Sequence, residues 1–200
     1  MLKISVNKQQ VEYTESLLKN KNVGKRGDGS RKYNNGNKDE QFTGILGEVV
    51  ICDYFNQPRP RLDNADGDHG VDMIINSLKI DIKTMTRSCD MKDFFVHNLQ
   101  GEQVGKYYKN DIYLFTSYNK VKEEITICGW VTKEEFFKLA NHYPYGEVRK
   151  NNSKKFKVRN KKGLYEIKNS VLNAFWGKKG FMKDMLNLKS TCMKNMQEAI

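Results

Sequence analysis

Asp72, Asp81 and Lys83 are the residues of this chain whose types and spacing point most directly to chemistry. They sit in Gly70-Val71-Asp72-Met73-Ile74-Ile75-Asn76-Ser77-Leu78-Lys79-Ile80-Asp81-Ile82-Lys83-Thr84, whose halves alternate with the period of a β-hairpin about Asn76-Ser77. Val71, Met73, Ile75, Ile80 and Ile82 then share an apolar face, and the two acids and the amine share the other. A two-residue turn at Asn76-Ser77 sets Asp72 opposite Asp81, whereas one at Ser77-Leu78 sets it opposite Lys83. Either register gathers all three on one side.

Carboxylates held close together repel and raise each other's pKa unless a cation lies between them. A hard divalent ion such as Mg2+ or Mn2+ meets that need with oxygen ligands, and keeps waters for a phosphate-bearing substrate. Lys83, two residues along the strand from Asp81, is placed to position a water or balance charge developing on a phosphoryl oxygen. The same pattern also serves an ordinary amphipathic hairpin with surface ion pairs, which contribute little.

A helix must deliver any further ligand. From about Asp39 to Phe55, Phe42, Ile45, Leu46, Val49 and Val50 form an apolar stripe at helical spacing, with Asp39 and Glu40 suited to the N-terminus. Gly44 and Gly47 interrupt it, each at about 1 kcal/mol against Ala, which implies close backbone packing on a sheet. Glu48, beside Gly47, borders the buried face and can bring a third carboxylate to the hairpin. Before it, Asn7 to Lys19 reads as a short polar helix anchored by Val11, Leu17 and Leu18.

Lys and Arg total 35 against 24 Asp and Glu, a formal charge of +11, which favours a polyanionic partner, nucleic acid first. Lys25, Arg26, Arg31 and Lys32 lie in a Gly- and Asn-rich stretch from Asn20 to Asn37, expected to wrap a phosphate backbone. Lys154, Lys155, Lys157 and Arg159 belong to a second basic run, from Arg149 to Lys162, expected to be a solvated loop that grips phosphates without reading sequence. Tyr107, Tyr108, Tyr143, Tyr145 and Trp176 are candidates for stacking on bases, with packing the competing role.

Cys52, Cys89, Cys128 and Cys192 show neither a C-x-x-C pair nor zinc spacing to His69, His97 or His142, and read as free thiols of a reducing, intracellular compartment. The N-terminus lacks the apolar core of a secretion signal, and no segment has the length of a membrane span, so no membrane partner is expected. The acidic turn Asp63 to Gly70 is no EF-hand loop, because no frame puts Gly sixth and Glu twelfth. A G-x-S-x-G elbow and a P-loop lysine motif are both missing.

Gly47-Glu48 on a helix, then Gly70-Val71-Asp72, then Asp81-Ile82-Lys83, resembles the PD-(D/E)XK nuclease superfamily in order and spacing, and looks closest to its small phage-type members. Val71 stands where the motif's name has proline, a residue that supplies no ligand. Asp111 to Ser117 and Glu124 to Trp130 read as further strands, and Thr132-Lys133-Glu134-Glu135 opens a helix as a capping box does, followed by Phe136, Phe137 and Leu139. The likeness runs from about Phe42 to Ala140, with weaker echoes from Gly163 to Leu172.

The resemblance implies a mixed α/β restriction-endonuclease-like domain, its central mixed sheet flanked by helices. It implies Asp72, Asp81, Glu48 and the Ile82 carbonyl as metal ligands and Lys83 as the group that orients or activates water. The expected activity is Mg2+- or Mn2+-dependent hydrolysis of DNA, endonucleolytic in preference to exonucleolytic, with branched or foreign DNA among the substrates and RNA a further possibility. The rival reading is a non-enzymatic DNA-binding protein on a nuclease-like scaffold. One domain is expected over 1–200: helix and basic loop over 1–38, core over 39–173, and a C-terminal helical segment over 174–200 that packs on the body, with a homodimer contact as the alternative.

Overall fold

A computed structural model describes residues 1–20, 38–61, 70–105, 108–151 and 154–197. Lys25, Arg26, Arg31, Lys32, His69 and Tyr107 lie outside the described residues. The chain is mixed α/β, and its main sheet has five strands in the order β1-β6-β5-β3-β2. These are β1 (Leu2–Ser5), β2 (Met73–Ile75), β3 (Leu78–Arg87), β5 (Ile112–Asn119) and β6 (Glu124–Thr132). Only β3 and β5 pair in parallel.

The hairpin turns at Asn76-Ser77. Ile75 pairs with Leu78, and both turn residues have positive φ, 51° and 69°, as a two-residue hairpin turn of matching twist requires. Met73, Ile75, Ile80 and Ile82 enter the core, as the alternation predicts. The first arm is shorter than expected, since the ladder begins at Met73 and leaves Val71 and Asp72 outside it.

Helix α1 (Lys8–Asn20) packs on α2 (Lys38–Phe55) through Leu17, Ile45 and Val49. Asp53 clasps this pair, accepting from Gln10 Nε2 at 2.9 Å and from Arg59 Nε and Nη2 at 2.6 and 2.7 Å. The opposite stripe of α2, Leu46, Val50 and Phe55, covers one face of the sheet over Ile80, Ile82, Leu114 and Ile127. Gly47 is what lets the helix come so close, because a Cβ there would fall on the Thr84 side chain. Gly44 has open space instead, so only one of the two glycines answers to close packing.

The other face buries Tyr113, Phe115 and Val131 beneath α3 (Lys133–Leu139) and a second sheet. Thr132 caps α3 as its sequence predicts: its hydroxyl accepts from Glu135 N–H at 3.0 Å, and Glu135 returns a bond to the Thr132 N–H at 2.8 Å. Only Phe136 of its apolar residues is buried, Phe137 and Leu139 being exposed. The second sheet orders β4 (Val96–Gln100), β10 (Leu164–Lys168) and β7 (Asn141–Tyr143). The basic run expected as a loop contains instead a two-stranded ribbon of β8 (Val148–Asn151) and β9 (Lys154–Lys157).

The C-terminal helix α4 (Gly177–Gln197) buries Phe181 and Met185 against Phe55 and Trp130, which is packing onto the body, while Met182 and Leu186 stay exposed. Among the described residues no helix is long and apolar enough to cross a membrane.

Candidate active site

β2 pairs only with Leu78 to Ile80, so beyond that point β3 has β5 on one side and no strand of this sheet on the other. Asp72, just ahead of β2, turns to this edge. Its N–H donates to the Ile80 carbonyl at 2.9 Å, and its Oδ2 accepts the Ile82 N–H at 2.6 Å. A carboxylate thus takes the donor that a strand carbonyl would otherwise satisfy. The register also sets Asp72 level with Asp81.

Asp81 is 1% exposed and pairs through Oδ1 with Lys83 Nζ at 2.7 Å. The two project to one side because they are two residues apart on a strand. Burial alone pulls the Lys83 pKa down, yet the charges of Asp81, Asp72 and Glu48, with the Asp81 hydrogen bond, outweigh it and hold the amine above its ordinary range. Three acids from three stretches of chain therefore act on one ammonium. The same potential reaches Cys52, one turn along α2 from Glu48, whose thiol is pushed up to about 12 by burial first and then by Asp72, Glu48 and Asp53. Glu48 is half-buried and follows Gly47, where α2 packs against Thr84 of β3.

Gly70 and Tyr108 lie beside Asp81 and Lys83. Gly70 has φ of +75°, and a Cβ on it would meet the Tyr108 ring and come within 3.2 Å of Asp81 Oδ2. Lys83 Nζ lies 5.9 Å from the centre of the Tyr108 ring, at the outer range of a cation–π contact. Lys133, the first residue of α3, donates its Nζ to the Tyr108 carbonyl. Burial lowers the Lys133 pKa, opposed by the charges of Asp81 and Asp111, so a second amine senses the site. Tyr113, beside Asp81 in the parallel register, has its hydroxyl pushed up to about 12 by burial and then by the Asp81 charge.

Lys133 and Tyr113 escaped the sequence reading as site residues. The signal for Lys133, a lysine opening a capped helix, is a common surface pattern, and the β3–β5 pairing that brings in Tyr113 joins strands remote in the chain. Among the predicted nucleic-acid contacts, Lys157 and Arg159 are exposed, and Lys154 and Lys155 lie on β9. Tyr145 and Trp176 are exposed, whereas Tyr143 lies under the Arg149 guanidinium.

The donor set around Lys83 is all carboxylate oxygen, the chemistry a hard divalent cation takes. Among the described residues no three His, Cys, Asp or Glu side chains stand close enough together to form a metal-binding group. Asp72 Oδ2 is engaged by the Ile82 N–H and Asp81 Oδ1 by the Lys83 ammonium in this arrangement. No family model, curated protein or solved structure matched the chain.

Proposed function

We propose that the protein is a divalent-metal-dependent nuclease that hydrolyses DNA phosphodiester bonds, with a restriction-endonuclease-like core and a PD-(D/E)XK type of site. The observation that carries this reading is the 2.7 Å pair between the buried Asp81 and the Lys83 amine, with Asp72 Oδ2 accepting the N–H of the intervening Ile82. Asp72, Asp81, Glu48 and the Ile82 carbonyl would hold Mg2+ or Mn2+. When bound, such an ion supplies hydroxide near neutral pH and offsets charge on the phosphate. Lys83 orients the attacking water and balances charge on a phosphoryl oxygen. Asp81 fixes the Lys83 amine through their 2.7 Å contact, and Asp72 steadies the main chain between them through the Ile82 N–H. The Tyr108 ring lies beside the amine, and Gly70 lies beside the Asp81 carboxylate.

The test is digestion of linear, nicked, branched and single-stranded DNA, and of RNA in parallel, with Mg2+, Mn2+ or EDTA. Cutting is expected only with metal, and Asp81→Asn or Lys83→Ala should lower its rate by at least about a hundredfold, several kcal/mol in the barrier. Cutting that survives both substitutions refutes the mechanism. The lack of a preassembled three-ligand group among the described residues favours a second reading, a DNA-binding protein on the same scaffold without catalysis. It predicts no cutting on any substrate and salt-sensitive binding indifferent to Asp72 and Asp81.

A further inference from the structure

The β8–β9 ribbon stands apart from both larger sheets, and of its eight residues five are Lys or Arg and none is acidic. Its two faces are differently employed. On one, Arg149 makes an ion pair with Glu166 of β10, an acid 2% exposed, while its guanidinium lies 5.2 Å from the Tyr143 ring and 5.7 Å from that of Phe156. That arginine is spent on anchoring. The register places Val148 opposite Lys157 and Lys150 opposite Lys155 on the other face, where Val148 is 57% exposed and Lys157 is exposed.

The anchor is stiff. Glu166 precedes Ile167, which packs in one cluster with Tyr113 and Phe115, the register partners of Asp81 and Lys83. The ribbon is therefore tied to the sheet that covers the catalytic strands.

We infer that the Lys150, Lys155 and Lys157 face of this ribbon is a docking surface for the major groove of duplex DNA, which makes a double strand the substrate class of the proposed nuclease. A two-stranded ribbon fits a groove about 12 Å wide, and the minor groove at about 6 Å does not admit it. Four residues per strand, about 13 Å, span roughly four base pairs. Single-strand binding relies on aromatic platforms, and the one aromatic ring of the ribbon, Phe156, lies on the anchored side near Arg149. The deep, narrow major groove of duplex RNA is closed to such a ribbon. Lysines supply charge to flanking phosphates and little base discrimination.

The inference rests on the DNA reading above but not on catalysis, so binding is measured in EDTA. Fluorescence anisotropy of labelled 20-base-pair DNA, the corresponding single strand and duplex RNA, across a salt series, compares the full chain with K150A/K155A/K157A and with a control, K8A/K19A/K183A, at exposed positions elsewhere. Circular dichroism and Tm confirm that all three fold. Duplex DNA should bind tightest, and the slope of log K against log salt should fall by about 2 to 3 in the ribbon variant, near 0.9 for each phosphate that is no longer neutralised. The control should keep the wild-type slope. An unchanged slope, an equal fall in the control, or single strands or duplex RNA bound as tightly as duplex DNA overturns the proposal. Loss of cutting in a parallel Mg2+ digestion bears on the nuclease reading alone.

Discussion

Lys83 pairs with Asp81 at 2.7 Å and senses the charges of Asp72 and Glu48, which makes loss of the amine costly. Lys83→Met removes the amine that pairs with the buried Asp81 carboxylate. It should lower stability in EDTA by about 3 kcal/mol, the scale of breaking a buried pair. Urea unfolding checks this, and an unchanged stability would mean that the pair contributes nothing to the fold. Asp81 and Lys83 were legible in the sequence because a spacing of two on an alternating strand fixes their shared side. Gly47 was legible as a point of close packing, because its missing Cβ permits the approach to Thr84.

Elements decide how far those side chains reach. The short β2 leaves the edge of β3 open from Asp81 onward, so Asp72 can cap a backbone donor there. On the opposite face, α3 carries Lys133 to the Tyr108 carbonyl, and its start depends on the Thr132–Glu135 box. Thr132→Ala should cost about 1 kcal/mol, read from thermal or urea unfolding, through the lost cap on the Glu135 N–H. No change would show that the Glu135 carboxylate alone holds the helix start. The capping box was readable because its signature is local. The ribbon was not, since a run of Lys and Asn carries no apolar alternation, and its two strands are fixed from outside by the Arg149 and Glu166 pair.

The whole molecule adds a pH dependence from its second core. His97 on β4 is 1% exposed, stacks on Phe115 with ring centres 4.8 Å apart, and has Nε2 at 3.3 Å from Asn169 Oδ1. Burial first, then the Arg87 charge, lowers its pKa to about 4 against the Asn169 bond that raises it. The folded protein therefore keeps the ring neutral while the unfolded chain takes up a proton near 6.5, so stability is full above that value and falls as pH drops toward 4. The loss from this group is roughly 3 kcal/mol, from 1.36 kcal/mol per pKa unit. Asp53 has its pKa lowered, chiefly by the Arg59 hydrogen bond, so its contribution persists above the unfolded carboxyl value and disappears at still lower pH. Urea unfolding between pH 7.5 and 4.5 should show the His97 slope, and His97→Phe should flatten it.

By itself the sequence determined the hairpin and its facing, the stripe of α2, the cap of α3 and the excess of positive charge, because each is a periodicity or a composition within a short window. Only the tertiary structure decided that β3 pairs in parallel with β5 to bring Tyr113 beside Asp81, that β1 closes the far edge, and that Arg149 anchors a ribbon rather than gripping phosphate. Those outcomes depend on which remote surfaces bury together most favourably, a property of the summed packing and charge of the whole chain that no local stretch carries.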